Sequence, residues 1–282
     1  MHIHTTCSDG SLSPEAVVER AFQRGMTAIA ITDHDTVAGV ERAQTAAPVG
    51  MEVIAGVEIS AAGGQGLLHI LGYFVDSHDA LFLEKLQNYV EARNERNPKI
   101  LAALADNGCP LGMEEIVALS GGEVVNRPHI ARAMVSRGYV KTTQEAFDRY
   151  LNHDAPAYFP KEIYTLAQTI QIIHEAGGLA VLAHPDQLYN GNMRKIRPFI
   201  AEALTQGLDG IEAYHGTGLA GHGRIYQAIA EEHELFITGG SDFHGIQPYR
   251  DIGEMNGVYS LPNARVEEMK ARLETVKARG AI

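Results

Sequence analysis

The nine residues Thr27-Ala28-Ile29-Ala30-Ile31-Thr32-Asp33-His34-Asp35 are the stretch from which the fold can be predicted. The apolar half of this stretch has the length and composition of a buried strand. Four polar residues, from Thr32 to Asp35, follow at once. Polar side chains at such a position are typical of a site at the carboxyl end of a barrel strand, although Asp33 or Asp35 could instead cap the next helix.

The same alternation of strand and helix patterns extends along most of the chain. Strands are predicted at Ala28–Thr32, Val53–Ser60, Leu67–Val75, Leu179–Ala183, Gly210–Tyr214, Leu235–Thr238 and Gly257–Ser260. Helices are predicted at Ser13–Arg24, Val37–Thr45, Leu166–Ala176, Arg194–Thr205, Ile225–Glu232 and Ala264–Ala278. Strands separated by helices predict a parallel sheet, and this many units predict an α/β fold that closes into a distorted barrel.

One segment departs from this alternation. Between Asp79 and Tyr158 the sequence shows helical patterns and no convincing strand. We therefore predict a barrel domain made of residues 1–93 and 159–282, and a helical insertion subdomain of residues 94–158 that lies over the active site.

Composition narrows the function classes. The 282 residues are 45% apolar and 21% charged, enough for one large barrel with a modest insertion. The two cysteines, Cys7 and Cys109, suit a reducing cytoplasm, and no apolar run is long enough for a membrane span. A net charge of −12 argues against binding long duplex nucleic acid, but bound metal ions would still allow a phosphate substrate.

Histidines and carboxylates recur near the ends of the predicted strands. Residues two apart in a strand point the same way, so His2 and His4 can reach one metal ion. Glu58 closes an apolar strand, where a carboxylate is costly to bury unless a bridging metal compensates it. The other candidates, each also explicable alone as a loop, cap or core residue, are Asp9, His34, His69, His184, Asp242 and His244. Their joint position at one rim predicts a metal cluster.

These motifs, in this order, resemble the PHP (polymerase and histidinol phosphatase) family. The resemblance rests on His-x-His, Ser-Asp-Gly, Thr-Asp-His-Asp, Gly-Val-Glu, the strand histidine, Ala-His-Pro and Ser-Asp-Phe-His, and it covers nearly the whole chain. It implies a distorted (β/α)7-type barrel that acts as a metal-dependent phosphoesterase. The segment Asn126-Arg127-Pro128-His129 further resembles the branch that hydrolyses the 3′-phosphate of nucleoside 3′,5′-bisphosphates and trims short RNA from its 5′ end.

The resemblance also implies a site for three divalent ions. Imidazole and carboxylate ligands suit manganese, iron or zinc, and manganese is favoured. The ions would make the pocket net positive, which suits a phosphate monoester, and would supply the water nucleophile. The implied ligands are His2, His4, Glu58 and Asp242 for the first ion, Glu58, His69 and His184 for the second, and Asp9, His34 and His244 for the third.

Three further residues are implied in substrate binding. Arg127 offers two donors to a phosphate, and His129 could bind the same phosphate or protonate the leaving oxygen. Lys161 could contact phosphate, or could equally be an exposed surface lysine. We expect the substrate to be a nucleotide or short oligonucleotide, and the oligomeric state stays open.

Three alternatives remain open at this point: a phosphatase of another small phosphomonoester such as histidinol phosphate, a polymerase-type exonuclease module, and a non-catalytic metal-binding module. His215, near the predicted rim, could support a metal ligand without touching the metal. The remaining histidines in polar or helical contexts are interpreted as surface residues, namely His78, His153, His174, His222 and His233.

Overall fold

A curled six-stranded sheet forms the centre of the molecule. The computed structural model describes residues 1–63, 68–120, 125–160, 164–246, 250–255, 258 and 260–278. Neighbouring strands in the sheet are also consecutive in the sequence. The strands are β1 (Ala28–Ile31), β2 (Glu52–Ser60), β3 (His69–Tyr73), β4 (Leu179–Leu182), β5 (Gly210–His215) and β6 (Phe236–Gly240).

The sheet is mixed, so the prediction of a wholly parallel sheet is wrong at β3. Strand β3 runs antiparallel to both β2 and β4, whereas the pairs β1–β2, β4–β5 and β5–β6 are parallel. Residues 61–68 alone separate β2 from β3, and a crossover to a parallel strand takes roughly a dozen residues or more. The predicted strand at the end of the chain is also absent from the described residues: Val258 forms only an isolated bridge with Met255, while Gly257 and Tyr259 lie outside them.

The predicted helices begin and end close to their predicted bounds. Ser13 caps the first helix through its side chain, and proline follows at the first helical position, as the sequence predicts. No helix in the described part of the chain is long and apolar enough to cross a membrane. The helices are α1 (Pro14–Gln23), α2 (Val40–Ala46), α3 (Ala80–Asp106), α4 (Met113–Ser120), α5 (Arg127–Ser136), α6 (Thr143–Ala146), α7 (Leu166–Glu175), α8 (Met193–Thr205), α9 (His222–Glu232) and α10 (Ala264–Ala278).

The N-terminal segment lies between the first and last strands of the sheet. The N–H of Thr32, just after β1, donates to the carbonyl of Ile3 at 2.9 Å. The N–H of His4 donates to the carbonyl of Phe243, just after β6, also at 2.9 Å. Two strand ends therefore hold this short segment, and they fix His2 and His4 at the same rim.

A separate hydrophobic cluster lies within the helical segment. It contains Ile100, Ile116, Ile130 and Leu151, whereas the first half of α3 packs with the main core through residues such as Tyr89. Helix α3 is continuous across residue 94, so it joins the two clusters. The boundaries of the helical subdomain at 94 and 158 stay a prediction.

Candidate metal centre

Glu58 lies at the centre of the predicted ligands and is fully buried. Its Oε2 atom is 2.9 Å from Nδ1 of His34, and 3.2 Å from the Nε2 atoms of His2 and His4. Asp242 completes this group, because its Oδ1 lies 3.3 Å from His4 Nε2 and 3.5 Å from His2 Nε2. One carboxylate oxygen thus faces three imidazoles and a second carboxylate.

The other oxygen of Glu58 faces a different pair of histidines. Oε1 is 2.9 Å from Nδ1 of His69 and 2.9 Å from Nε2 of His184, and these two nitrogens are 3.2 Å apart. A carboxylate whose two oxygens point at separate groups of potential ligands has the arrangement needed to bridge two ions.

The third predicted group surrounds Asp9, which is also fully buried. Its Oδ1 is 3.3 Å from His244 Nε2 and 3.8 Å from His4 Nδ1, and its Oδ2 is 3.8 Å from His34 Nε2. The structure therefore brings all nine predicted residues into one continuous cluster, although the grouping differs from the expected one because His4 and His34 each face two groups.

The topology of the sheet explains why these residues meet. His34, His184 and Asp242 follow the carboxyl ends of β1, β4 and β6. His69 is the first residue of β3, and because β3 is antiparallel its beginning lies at the same rim. The reversed strand, which the sequence interpretation missed, is what places His69 opposite Glu58.

Two of these residues have strained backbones. His184 has φ 26° and Asp242 has φ 52°, both in the left-handed region that disfavours residues with a side chain. Each such residue costs on the order of 1–3 kcal/mol, and such strain is found most often at functional sites.

The charges of the cluster are strongly coupled. Burial would raise the pKa of the Glu58 carboxyl, but the charges on His34 and His2 outweigh burial and hold it well below its ordinary value. Burial lowers the pKa of His34, but Glu58 and Asp9 outweigh this and raise it to about 9. The neighbouring carboxylates likewise raise the pKa of His2 and His4, whereas burial lowers the pKa of His69 to about 4.

The chemistry of the site fits divalent cations. Several buried ligand atoms have no hydrogen-bond partner among the described residues, including Oδ2 of Asp9 and the Nδ1 atoms of His4 and His184. Buried polar atoms are normally satisfied, so their joint occurrence here requires an explanation. Three sets have ligand atoms within 4.8 Å of one another: His4, Asp9, His34 and His244; His2, His4, Glu58 and Asp242; and His34, Glu58 and His69.

Sequence reasoning missed Glu212, which is fully buried in β5. Its Oε1 lies 3.1 Å from Nδ1 of His2, and its Oε2 accepts the backbone N–H of His184 at 2.8 Å. Burial opposes ionisation of Glu212, but the charge of His2 outweighs it and lowers the carboxyl pKa. The signal that could have revealed Glu212 is the one used for Glu58, a carboxylate within an apolar strand.

The alternative helix-cap role of Asp33 and Asp35 is wrong. Asp33 accepts hydrogen bonds from the backbone N–H of Thr5 at 2.7 Å and from the Ser8 hydroxyl at 2.6 Å, so it anchors the N-terminal loop. Asp35 pairs with the buried Arg93 of α3. Helix α2 begins without any side-chain cap.

The interpretation of His174 and His222 as surface residues is also wrong. His174 Nε2 lies 2.8 Å from Asp209, and His222 Nδ1 lies 2.6 Å from Asp186, both in partly buried positions. His215 is buried, and its Nε2 is 3.3 Å from Asp186 rather than beside a predicted ligand's carboxylate. The exposed positions of the other three are as expected, namely His78, His153 and His233.

His129, at the start of α5, is buried close to this cluster. Its Nδ1 accepts the backbone N–H of Asn126 at 3.0 Å, which places the proton of the neutral ring on Nε2. Burial lowers the pKa of His129 to about 4, and the nearby charge of Asp9 only partly opposes this. Its Nε2 has no partner among the described residues. A neutral ring at pH 7 can donate a hydrogen bond to a phosphate, but it argues against His129 as a protonated acid.

Arg127 is only partly available for a phosphate. Its Nη1 donates to the carbonyl of Leu151 at 3.1 Å, and its guanidinium lies 5.8 Å from the ring centre of Tyr158. Burial lowers the pKa of the Arg127 guanidinium. Lys161 lies outside the described residues.

Arg127 is one of four arginines, which we call the arginine cluster: Arg93, Arg96, Arg127 and Arg132. Burial, together with the charges of Arg127 and Arg93, lowers the pKa of Arg96 to about 9. Burial also lowers the pKa of Arg132, whose Nε and Nη2 atoms have no partner among the described residues. Within the part of the chain that the structure describes, Asp35 is the single carboxylate in ion-pair contact with the cluster.

Comparison with known proteins identifies the family. The model of the PHP domain matches residues 1–212. The chain belongs to the PHP family. This confirms the resemblance drawn from the motifs, and it makes the protein a metal-dependent phosphoesterase, a hydrolase that binds metal.

Several known proteins are similar to this chain over nearly its full length. The 5′-3′ exoribonuclease Rnm of Escherichia coli is 34% identical over 256 residues, covering 90% of this chain and 87% of that protein. The 3′,5′-nucleoside bisphosphate phosphatase of Chromobacterium violaceum is 31% identical over 276 residues, covering 97% of this chain and 96% of that protein. A solved structure from Bifidobacterium adolescentis, named as a predicted metal-dependent phosphoesterase, has a TM-score of 0.84 and 29% identity, covering 96% of this chain and 94% of that one.

Proposed function

We propose that this PHP phosphoesterase hydrolyses the 3′-phosphate of nucleoside 3′,5′-bisphosphates. The observation that carries the proposal is the arginine cluster beside the predicted metal centre. Removing one phosphate requires only the metal centre, because the ions bind the phosphate that is cleaved. A second cationic site is expected when the substrate carries a second anionic group that must be oriented.

The proposed metal centre consists of the nine residues of the cluster holding three divalent ions, with manganese favoured. These ions would activate water and neutralise charge on the phosphoryl group when bound. Glu58 would hold two of the ions at a fixed separation through its two oxygens. We also propose that residues 94–158 form a helical cap, on a (β/α)7-type barrel, that places Arg96, Arg127 and Arg132 of the arginine cluster over this centre.

The electrostatics of the cap favour a bound anion. The negative charge of Asp9 raises the pKa of both Arg132 and His129. This supports a position for these two cap residues beside the predicted third-ion group. Guanidinium atoms that are buried without a partner are destabilising, and a phosphate would accept from them. His129 would add a neutral N–H donor from Nε2. The non-cleaved phosphate of a bisphosphate would supply acceptors for the guanidinium atoms of Arg132 that have none among the described residues.

Trimming of short RNA from its 5′ end is a second candidate, supported by the similarity to a 5′-3′ exoribonuclease. A terminal 5′-phosphate on a short RNA would offer the arginine cluster the same anion. The net charge of −12 provides no basic track for a long duplex, so we propose short substrates in either case.

The decisive experiment compares kcat/KM for a nucleoside 3′,5′-bisphosphate, the corresponding 3′-monophosphate and a short 5′-phosphorylated RNA. Arg127→Ala should weaken turnover of the bisphosphate by about 1.5–3 kcal/mol, the range for a charge-assisted hydrogen bond, and should affect the monophosphate much less. Arg137→Ala is the matched control, because Arg137 ends the same helix but is exposed and bonded to Glu115.

The two roles of Arg127 predict different outcomes. If Arg127 only connects α5 to Leu151, kcat/KM falls equally for both substrates and the variant melts at a lower temperature. That result would refute the second-phosphate assignment. A wild-type protein that prefers the monophosphate would refute the bisphosphate proposal itself, while higher kcat/KM on RNA would favour the exonuclease.

A further inference from the structure

We propose that Glu212 is a positioning residue that fixes the orientation of His2 and His184, and so determines metal affinity at two of the predicted sites. The proposal rests on the metal roles given to these histidines under the proposed function. Glu212 belongs to none of the motifs that resemble the family. It is fully buried, and it lies on β5, a strand that supplies none of the nine predicted ligands.

The contact with His2 determines which of its nitrogens can bind a metal. Both oxygens of Glu212 lie within 3.2 Å of His2 Nδ1, and an ionised carboxylate can only accept, so Nδ1 donates. In the neutral ring this leaves the lone pair on Nε2. That atom faces Oε2 of Glu58 at 3.2 Å and Oδ1 of Asp242 at 3.5 Å. Carboxylates that fix a metal-binding histidine in this way strengthen its binding.

The second contact fixes the backbone of His184. The N–H of His184 donates to Oε2 of Glu212 at 2.8 Å, at the residue whose φ of 26° is strained. Without Glu212 this buried N–H would lose its acceptor, and the strained conformation would lose a restraint. His184 Nε2 lies 2.9 Å from Oε1 of Glu58, whereas His2 contacts Oε2. One carboxylate therefore holds residues from both predicted sites that share Glu58.

Gly240 of β6 packs directly against His2 and Glu212. A Cβ atom added to Gly240 would overlap Cβ of His2 and would lie 2.8 Å from Oε1 of Glu212. His2 itself is fully buried. The absence of a side chain at Gly240 therefore leaves the space in which His2 and Glu212 meet.

The test uses two variants of Glu212 with opposite chemistry. Glu212→Gln keeps the shape, and its carbonyl can still accept from His184. Its amide group would then stand beside His2 Nδ1 as a donor, which favours the His2 proton on Nε2, the metal-facing atom. Glu212→Asp keeps the charge and the acceptor, but it is shorter by one carbon. Glu52→Gln, an exposed carboxylate on β2 bonded to Lys270, is the control.

The measurements are metal content after dialysis and Mn²⁺ affinity by titration calorimetry, with the melting temperature recorded in EDTA. We expect Glu212→Gln to bind Mn²⁺ about 10–100-fold more weakly, with the melting temperature in EDTA little changed. Glu212→Asp should retain more affinity than Glu212→Gln, and the control should match wild type.

Unchanged Mn²⁺ affinity in Glu212→Gln would refute the positioning role, as would equal loss in the Gln and Asp variants. A lower melting temperature in EDTA with normal Mn²⁺ affinity would assign Glu212 a purely structural role and would also refute it. If the wild-type protein itself binds no Mn²⁺, the proposed metal centre is refuted. This outcome is seen without any variant, so it can be told apart from failure of the positioning role, which shows only in the Glu212 variants.

Discussion

Replacement of Glu58 by glutamine provides the most informative test of the metal centre. The two Glu58 oxygens lie within 3.2 Å of five imidazole nitrogens, and no other described carboxylate faces so many. Glutamine has nearly the same volume, so Glu58→Gln opens no cavity and removes only charge and acceptor capacity. Any loss of metal therefore reports on coordination rather than packing.

The size of the effect follows from the number of contacts that are lost. A contact to a charged group contributes about 1.5–3 kcal/mol, so a carboxylate shared by two ions should contribute about 3–6 kcal/mol. Each 1.4 kcal/mol is a tenfold change, which gives roughly 10²–10⁴-fold for the two affinities together. Dialysed Glu58→Gln should then lose more than one equivalent of metal and should lose at least about 100-fold in kcat.

Elemental analysis and steady-state kinetics of the dialysed protein measure these two quantities. Glu15→Gln is the control, because Glu15 is an exposed carboxylate bonded to Arg42 and is not one of the cluster's residues. A Glu58→Gln protein with full metal content and near-normal turnover would show that Glu58 is not a ligand, and the bridging geometry would then be incidental.

Three further predictions concern pH, metal removal and packing. Burial lowers the pKa of His129 to about 4 from an ordinary 6.5, so the unfolded chain binds a proton between these pH values and the folded protein does not. The free energy of unfolding should therefore fall by up to about 3 kcal/mol as the pH falls from 6.5 to 4, with no change from this group above 6.5. Urea unfolding measured across this pH range should show a smaller fall in His129→Gln. EDTA should lower the melting temperature, since each ion present at 100 times its Kd adds about 2.7 kcal/mol, and an equal melting temperature before and after Mn²⁺ is restored would contradict a bound metal. Gly240→Ala should lower the free energy of unfolding by about 1–3 kcal/mol and weaken Mn²⁺ binding, because its Cβ overlaps His2. Gly112→Ala is the control, because the added Cβ meets nothing within 4 Å. Thermal melts and titration calorimetry should show both effects for Gly240→Ala and neither for Gly112→Ala.

Local sequence determined most of the secondary structure. Ser13 and Pro14 fix the start of α1 because a side-chain cap and a preset φ act within a few residues. The apolar runs at β1 and β4 form strands whose polar continuations, at His34 and His184, lie at the rim. Such signals can be read from the sequence because the interactions behind them span only a few neighbouring positions.

The direction of β3 is different, because strand pairing depends on the connection and not on the strand itself. Its composition predicts a strand equally well in either direction. Only the short link after β2 and the pairing with β4 make it antiparallel, and this decides that His69 begins, rather than ends, its strand at the rim.

The sequence by itself determined which residues could bind metal, because imidazoles and carboxylates beside apolar strands carry their chemistry with them. It did not determine which atoms face one another. Glu212 shares with Glu58 only the pattern of a carboxylate within an apolar strand, and the members of the arginine cluster have no local pattern that marks them. Their significance arises from burial and from the charges around them, which exist only once the tertiary structure has formed.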